Sequence, residues 1–409
     1  MSTITVRNTN DSGPGSLRNA VAIANPGDTI NFAVSGTITL LSPININKTI
    51  TISGPGPTIS GSTTRIFTIS GATTTVTLNN LTFQNGNDNT GEGGGAILNN
   101  GATLTVVRCT FLTNKSTTSG GAIANKVSGT VTITNNSMFT GNTANFGGAI
   151  GNFSGTVNIT NNTMFIGNSA TAGNGGAIAN DDLVNITNST FSQNTASVEG
   201  GAISNDGTLI VVRSTFSNNS AQIGGAVSNF GSGTVSITNS TFTGNIAFNI
   251  GGAIANRNSG AVNVTNSTFT GNTANVGGAI TNQDLGAVNI TNSTFTGNAA
   301  NFGGAIGNFS GTVNITNSTF SNNRALIGNG GAITNDGTLI VVRSTFTNNS
   351  APNGVGGAIA NTGAATITRS TFTGNTATSG GAIANFNNGT ATLTRNTFTD
   401  NSEPQVTGV

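Results

Sequence analysis

A repeated couplet limits what this chain can fold into more strongly than any other feature of its sequence. Its first half is Gly-Gly-Ala followed by Ile or Val, and its second half is a Phe with an Asn three residues later. The first half occurs twelve times, at intervals of 24 to 28 residues. It begins at Gly94, Gly120, Gly147, Gly175, Gly200, Gly224, Gly251, Gly277, Gly303, Gly330, Gly356 and Gly380. A period of this length is typical of a solenoid, in which each unit buries its apolar face against its neighbours.

Each period contains three short runs in which apolar and polar residues alternate. In the copy at 224–245, Val227 and Asn229 share one face of the first run. Val235 and Ile237 share one face of the second run, and a Phe lies in the third. Helical repeats are excluded because no period has a long stretch of 3.6-residue periodicity, and leucine-rich repeats because their Leu positions are absent. We therefore predict an all-β fold, a right-handed parallel β-helix with three-strand coils of about 26 residues.

Two residue types recur so regularly that we expect them to form ladders between stacked coils. Side chains at equivalent positions would lie about 4.8 Å apart, where amides can pair and phenyl rings can stack. The first set is the Asn five residues after each first Gly: Asn99, Asn125, Asn152, Asn180, Asn205, Asn229, Asn256, Asn282, Asn308, Asn335, Asn361 and Asn385. The second set is Phe111, Phe139, Phe165, Phe191, Phe216, Phe242, Phe269, Phe295, Phe320, Phe346, Phe372 and Phe398, each followed by Asn from Asn114 to Asn401. We interpret all of these residues as architectural.

GGA[ILV] followed by FxxN also resembles the repeats of the chlamydial polymorphic outer membrane proteins. The resemblance covers residues 94–401, and both half-motifs recur throughout that range. It implies a secreted, surface-exposed β-helix that is used for adhesion. Members of that family carry a cleavable signal, and none is recognisable at the start of this sequence. We therefore expect an extracellular or cell-surface location without predicting the export route.

The sequence divides into three parts. Residues 1–93 are less regular, and we predict a first strand, a capping helix at about 16–25 and irregular first coils there. Residues 94–401 form the regular coils. Residues 402–409 are a short tail at the open end of the array, which either folds back as a cap or contacts another copy.

Composition excludes several classes of function. Only 6% of residues are charged and the net charge is +1, which gives no reason to expect nucleic-acid binding. No run is long and apolar enough for a transmembrane helix. The absence of His excludes Ser–His and Cys–His catalysis. The single Cys109 cannot form an internal disulfide, and no role is predicted for it. No cofactor is predicted.

The best acidic cluster is Asp181 with Asp182, and Asp206 lies at the position of Asp181 one coil later. These three residues are weak candidates for catalysis or for calcium binding, because glycan-processing β-helices need clustered carboxylates. The Asp-Gly pair at 206–207 recurs at 336–337 and is more typical of a turn. We favour the turn interpretation.

An arginine column is the second candidate. Most coils carry Asn three residues before the repeated Phe, but Arg108, Arg213, Arg343, Arg369 and Arg395 replace it. The last three lie on consecutive coils, where like charges about 5 Å apart repel one another. They are either a contact for acidic glycan or for a neighbouring copy, or a solvated column whose side chains splay apart.

These observations favour a non-enzymatic structural protein that assembles with itself, end to end or side by side, into a filament or surface layer. The near alternative is an adhesin for host or glycan surfaces, which one irregular, aromatic or charged patch would favour. Remote alternatives are a polysaccharide-processing enzyme and an ice-binding protein. Thr columns on the second strand suggest the latter, but Val107, Val212 and Val342 interrupt them.

Overall fold

Every regular coil begins with a strand that directly follows the GGA motif, because the motif itself makes the corner. The computed structural model describes residues 1–408. The chain divides into two compact units, one of residues 1–197 and 202–209 and the other of residues 198–201 and 210 onward. Each unit is a right-handed parallel β-helix, and the predicted fold class is confirmed.

One coil of the second unit shows the plan. It contains a strand after GGA (Ile280–Gln283), a longer strand (Ala287–Thr291), a strand centred on the repeated Phe (Thr294–Thr296) and a short strand (Ala299–Phe302). Equivalent strands of successive coils pair in parallel, and we name the resulting sheets the GGA sheet, the long-strand sheet, the Phe sheet and the short-strand sheet. The short-strand sheet was not among the three strands predicted for each coil. Its strands often contribute a single buried Ala to the core, so they show no apolar alternation in the sequence.

The first unit contains strands of all four sheets. Its GGA sheet consists of Ile44–Ile46, Phe67–Ser70, Ile97–Asn100, Ile123–Lys126, Ile150–Asn152, Ile178–Asn180 and Ile203–Asn205. Its long-strand sheet consists of Thr3–Val6, Thr29–Phe32, Ile50–Ser53, Thr75–Asn79, Thr103–Val107, Gly129–Thr134, Gly155–Ile159 and Leu183–Thr187. Its Phe sheet consists of Thr37–Thr39, Thr58–Ser60, Thr82–Gln84, Thr110–Leu112, Met138–Thr140, Met164–Ile166 and Thr190–Ser192. Its short strands are Asn87–Asp88, Lys115–Ser116, Thr143–Ala144, Ser169–Ala170 and Thr195–Ala196.

The second unit repeats the plan, and its first long strand, Thr208–Val212, begins in the first unit. Its GGA sheet consists of Val227–Asn229, Ile254–Asn256, Ile280–Gln283, Ile306–Phe309, Ile333–Asn335, Ile359–Asn361, Ile383–Asn385 and Val406–Thr407. The remaining long strands are Thr234–Thr238, Ala261–Thr265, Ala287–Thr291, Thr312–Thr316, Thr338–Val342, Ala364–Thr368 and Thr390–Thr394. Its Phe sheet consists of Thr215–Ser217, Thr241–Thr243, Thr268–Thr270, Thr294–Thr296, Thr319–Ser321, Thr345–Thr347, Thr371–Thr373 and Thr397–Thr399. Its short strands are Ser220–Ile223, Ile246–Ile250, Thr273–Val276, Ala299–Phe302, Arg324–Ala325, Ser350–Val355 and Thr376–Ser379.

In the regular coils, the register of the GGA sheet and of the Phe sheet pairs each motif residue with its equivalent on the next coil. Phe269 pairs with Phe295 in the Phe sheet, and Asn256 pairs with Asn282 in the GGA sheet. Because side chains alternate between the two faces of a strand, this register places all the repeated Ile, Val, Phe and Asn inside the coil. The Phe rings from 111 to 372 and the motif Asn from 99 to 361 are almost wholly buried.

The capping helix spans Leu17–Ile23 and is shorter than the predicted range of 16–25. Ser16 is its N-cap, and the Ser16 hydroxyl accepts a hydrogen bond of 3.2 Å from the Asn19 amide. The helix ends before Ala24 because the residue preceding Pro26 is disfavoured in a helical conformation. Its Leu17 side chain is fully buried in the first unit.

A buried ion pair stabilises the irregular first coils. The Arg65 guanidinium lies 2.7 Å from the Asp88 carboxylate and 3.0 Å from that of Glu92. Asp88 also accepts hydrogen bonds from the Thr90 hydroxyl (2.6 Å) and the Gly93 amide (2.8 Å). Burial by itself would raise the pKa of Asp88, but these donors and the Arg65 charge together hold it below its ordinary value.

The tail folds back onto the last coil of the second unit. Its strand Val406–Thr407 pairs with Ile383 and Ala384, which extends the GGA sheet by one strand. The Gly381 amide donates to the Pro404 carbonyl at 3.0 Å. Within this chain the tail therefore contacts its own last coil, which is the first of the two arrangements considered for residues 402–409.

Candidate functional surfaces

The Asn residues of the GGA motif form a continuous amide ladder inside each unit. Each side-chain nitrogen donates to the side-chain oxygen one coil later, over distances of 2.6–2.9 Å. The same nitrogen also donates to a carbonyl at the following turn, as from Asn256 to Gly260 at 2.8 Å. The ladder begins at Asn99, whose oxygen is buried and has no partner within residues 1–408, because Ile69 holds the equivalent position one coil earlier.

The Asn residues of FxxN form a second ladder with a denser hydrogen-bond pattern. Asn298 is typical. Its oxygen accepts from the backbone amide (3.0 Å) and from the side-chain nitrogen (2.9 Å) of Asn272. Its own nitrogen donates to the Phe269 carbonyl and to the Asn323 oxygen, each at 3.0 Å. The Asn298 side chain therefore accepts from one backbone N–H and donates to one backbone carbonyl. At this corner of the coil, no neighbouring strand supplies partners for those two groups.

The repeated Phe rings stack face to face in both units. Ring centroids of successive rings lie 4.6–5.2 Å apart from Phe111 onward, with interplanar angles of 2–17°. The stack begins one coil before the predicted set, because Phe83 lies 5.0 Å from Phe111 at an angle of 20°. Phe83 was missed because it is followed by Gly86 where the motif has Asn. Its signal was the preceding Leu-Thr, which resembles the Ser-Thr of later coils.

The acidic cluster lies at turns of the first unit. Asp181 and Asp182 are exposed, and the Asp182 carboxylate accepts a hydrogen bond of 2.6 Å from the Gly155 amide. Partial burial, together with the nearby Asp206 carboxylate, raises the pKa of Asp181. Within residues 1–408, no group of three or more His, Cys, Asp or Glu side chains is arranged to hold a metal ion. The geometry therefore gives no support to calcium binding. It adds to the turn interpretation only a repulsion between the Asp181 and Asp206 carboxylates.

Cys109 is buried in the first unit, and its sulfur lies 3.4 Å from the carbonyl oxygens of Leu78 and Val107. Burial raises the pKa of the Cys109 thiol to about 11, so it is neutral at physiological pH. It occupies the core position that a Ser holds in many other coils.

All five arginines that replace Asn before the repeated Phe share an unusual backbone conformation. Arg108, Arg213, Arg343, Arg369 and Arg395 have positive φ angles of 47–55°, and all are exposed. In the intervening coils, Asn takes the same conformation, for example Asn266 at 50° and Asn292 at 49°. Asn tolerates this region of φ/ψ space far better than Arg does. The sequence showed the Asn-to-Arg exchange but not the strained turn on which it occurs.

One groove in the second unit is lined by aromatic rings that lie outside the repeated Phe positions. It has a volume of about 380 Å³ on the outer face of the GGA sheet, and its lining residues are Val276, Phe302, Phe309, Asn329, Thr334, Asp336, Thr362 and Phe386. Phe302 keeps 42% of its surface exposed. The Thr362 hydroxyl donates a hydrogen bond to the Asp336 carboxylate.

Two glycines leave room for these rings. A Cβ atom on Gly328 would overlap the Phe302 ring, and one on Gly307 would crowd Val276 and Phe309. The first unit contains the same sequence, NFGGAIGNF, at 145–153. There Phe146 is 45% exposed, and the Lys126 ammonium lies 5.5 Å from the Phe153 ring centroid. The groove was not predicted, although a Phe directly before or after a GGA copy was its visible signal.

Two models of known protein families match parts of the chain. Residues 251–408 match the right handed beta helix region, and residues 108–126 and 188–206 match the Chlamydia polymorphic membrane protein repeat. The second match confirms the resemblance that the two halves of the couplet indicated. No curated protein matches the chain. Among residues 1–408, no helix is long and apolar enough to cross a membrane.

Two solved structures are similar in fold. One is PfbA, a surface adhesin of Streptococcus pneumoniae, with 14% identity and a TM-score of 0.35 over 94% of this chain and 87% of that chain. The other is a mannuronic acid specific polysaccharide family 6 lyase from human gut microbiota, with 10% identity and a TM-score of 0.33 over 99% of this chain and 89% of that chain. At these values neither likeness bears on what this chain does.

Proposed function

We propose that this chain is a non-enzymatic structural protein of the cell surface. The observation that carries the proposal is the direction of the repeated side chains. The Asn and Phe residues that recur in every regular coil point inward and bond to their counterparts on adjacent coils. The repeated Asn and Phe therefore serve the stacking of coils, whereas a catalytic or binding repeat would place its recurring residues outside.

The surface location is supported by the matched family. The family is the Chlamydia polymorphic membrane protein repeat, and two segments of this chain match it. The outward positions are mostly Thr, Ser and Asn, as in Thr234, Ser236 and Thr238 of one long strand. Such a surface carries few charges and many hydroxyl groups, which suits contact with other hydroxylated surfaces outside the cell.

The finer part of the proposal is assembly by end-to-end stacking. At the last coil, the inward side chains of Leu393 and Phe398 are half-buried, whereas Ile367 and Phe372 one coil earlier are fully buried. The tail extends only the GGA sheet at this end, so the long-strand and Phe sheets keep unpaired edges there among residues 1–408. A parallel edge of this kind can accept a strand from a second copy.

Negative-stain electron microscopy tests the assembly. We expect filaments from the full chain and from Thr392→Glu, whose side chain points outward. Leu393→Glu places the same charge one residue later on the inward side of the half-buried edge, and it should leave separate particles. A variant without 402–409 tests whether the tail also takes part. Separate particles for the full chain at all concentrations would overturn assembly.

Adhesion is the second candidate, and the aromatic groove of the second unit favours it. A scaffold of uniform coils has no need of Phe302, Phe309 and Phe386 beside a polar Asn329 on its surface. Exposed rings with adjacent amides can stack on sugar faces and bond their hydroxyls. A glycan array probed with the full chain and with Phe302→Ala would support adhesion if binding to a glycan were lost in the variant, and Phe248→Ala, on another exposed ring, is its control.

A further inference from the structure

Three guanidinium groups follow one another on consecutive coils of the second unit. The Arg343 amide donates to the Thr368 carbonyl at 3.0 Å, and the Arg369 amide donates to the Thr394 carbonyl at 2.9 Å. These bonds hold Arg343, Arg369 and Arg395 in one column parallel to the stacking direction, at the inter-strand spacing of about 4.8 Å. Each of the three side chains is exposed.

The backbone at these positions is better suited to another residue. The φ angles of the three arginines are 49°, 53° and 55°. In the four preceding coils the same turn position holds Asn with φ angles of 49–52°: Asn239, Asn266, Asn292 and Asn317. A left-handed conformation is unfavourable for most non-Gly residues, and Asn is among the few that tolerate it. The change from Asn to Arg on three successive coils therefore opposes local backbone preference.

No carboxylate among the described residues, 1–408, neutralises these charges. None of the ion pairs between residues 1–408 involves these three arginines. In the described part of the chain, their side chains donate one hydrogen bond, from Arg343 Nε to the Asn317 side-chain oxygen at 2.9 Å. Three cations in a column at this spacing repel one another unless an anion lies between or over them.

We propose that the column of Arg343, Arg369 and Arg395 binds a linear acidic polysaccharide whose carboxylates follow the stacking direction. A planar guanidinium binds a carboxylate through two parallel hydrogen bonds, and the regular spacing of the column suits a ligand with regularly spaced charges. The hydroxyls of Thr371 and Thr397 lie two residues further along, on the outward face of the Phe sheet, where they can bond sugar hydroxyls.

A nucleic acid fits this surface less well. Single-stranded nucleic acid is bound through aromatic side chains on which bases stack, and the residues around the column are Thr, Ser and Asn. Duplex binding depends on a broad basic surface, whereas the net charge of the chain is +1. The proposal does not depend on assembly or on the aromatic groove, so its failure would leave the structural role standing.

The test uses the triple variant Arg343→Asn, Arg369→Asn and Arg395→Asn in the full chain. Asn is the residue that neighbouring coils already use, so the variant should fold and melt at or above the original temperature. The matched control is Arg108→Asn, Arg213→Asn and Arg324→Asn, which removes the same charge from three exposed arginines on separate coils. Binding is measured on immobilised polygalacturonate, with dextran as the neutral surface and a DNA oligonucleotide as the second polyanion.

We expect the column variant to bind polygalacturonate about tenfold or more weakly, given roughly 0.5 kcal/mol or more for each exposed ionic contact. The control triple should bind within about twofold of the original chain. Equal losses in both triples would show that only net charge matters, and absence of binding by the original chain at low salt would also overturn the proposal. Tighter binding to DNA than to polygalacturonate would assign the column to a nucleic acid instead.

Discussion

The side-chain nitrogen of Asn385 donates a hydrogen bond of 2.7 Å to the carbonyl oxygen of Gly408. Among residues 1–408, Asn385 is the last member of the first amide ladder, and the Gly408 carbonyl takes the place that the Asn of the next coil holds elsewhere. In the second ladder, the last Asn401 donates to the Gln405 side-chain oxygen at 3.1 Å. The tail thus supplies the acceptor that each ladder lacks at this end.

Asn298→Ala should destabilise the second unit by about 3 kcal/mol or more. The change leaves the backbone amide and one side-chain donor of Asn272 without their buried acceptor, and each unsatisfied buried group costs about 1–3 kcal/mol. Urea unfolding followed by circular dichroism measures the loss. Asn263→Ala is the matched control, because Asn263 is exposed on a long strand, and it should change stability by less than about 1 kcal/mol.

Phe295→Ala should cost about 3–5 kcal/mol, because it removes a fully buried ring from the middle of the stack. The rings of Phe269 and Phe320 lie 4.7 Å from Phe295 on either side, so the variant also loses two stacked pairs. The control is Phe248→Ala, whose ring is 63% exposed and should contribute little. Equal effects of the two changes on the unfolding midpoint would contradict an architectural role for the stack.

The second glycine of GGA is required by close approach between coils. A Cβ atom on Gly304 would overlap the Gly331 carbonyl of the next coil, so Gly304→Ala should cost at least about 3 kcal/mol. Gly297 provides the contrast, because its φ is +63° but nothing lies within 4 Å of its added Cβ. Gly297→Asn should be nearly neutral, since Asn322 takes the same conformation one coil later. Thermal melting of both variants checks this order.

The Asp88 carboxylate should make the first unit sensitive to acid. Its pKa in the folded chain is held below the ordinary value, so its contribution to stability is complete above the unfolded-state pKa of about 4. That contribution is lost as the pH falls from about 4 through the lowered folded-state pKa. Urea unfolding at pH 7 and pH 3 should show a smaller difference for Asp88→Asn than for the original chain. An unchanged difference would mean that other carboxylates control acid unfolding.

Arg369→Asn should raise stability by about 0.5–1 kcal/mol. The variant relieves the left-handed backbone at Arg369 and reduces repulsion within the column. Arg324→Asn is the control, because Arg324 is exposed on a short strand and has no positive φ angle. A decrease in the melting temperature of Arg369→Asn would show that the arginine is held for the stability of the coil.

The core of the fold was predictable because residues one period apart in the sequence lie side by side on adjacent coils when the coils stack. Once the positions of Phe269 and Phe295 are equivalent, parallel pairing places the rings within stacking distance, and the same holds for Asn256 and Asn282. The alternating runs predicted the parallel β-helix, the handedness of crossover connections predicted its right hand, and the equivalence of positions predicted the two ladders.

Features that lie outside the repeated apolar pattern were not predictable. The groove of Phe302 and Phe386 joins side chains from turns whose conformation no period determines. The short-strand sheet escaped prediction because its strands bury little besides Ala300 and its equivalents. The positive φ angles of Arg343, Arg369 and Arg395 were also not predicted, because the sequence shows that Arg replaces Asn but does not show the backbone conformation at that position.

The amide ladders have a direction. In both ladders, each bond between two Asn side chains runs from a nitrogen to the oxygen on the coil that follows in sequence, so the dipoles of these bonds within each unit add together. The sum resembles the macrodipole of an α-helix, with its positive end toward the later coils; in the first ladder its negative end is the Asn99 oxygen, which has no partner within residues 1–408. Any molecule that binds at an end of such a column meets a polarity created by uncharged side chains, and acceptors such as the Gly408 carbonyl are favoured at the later end.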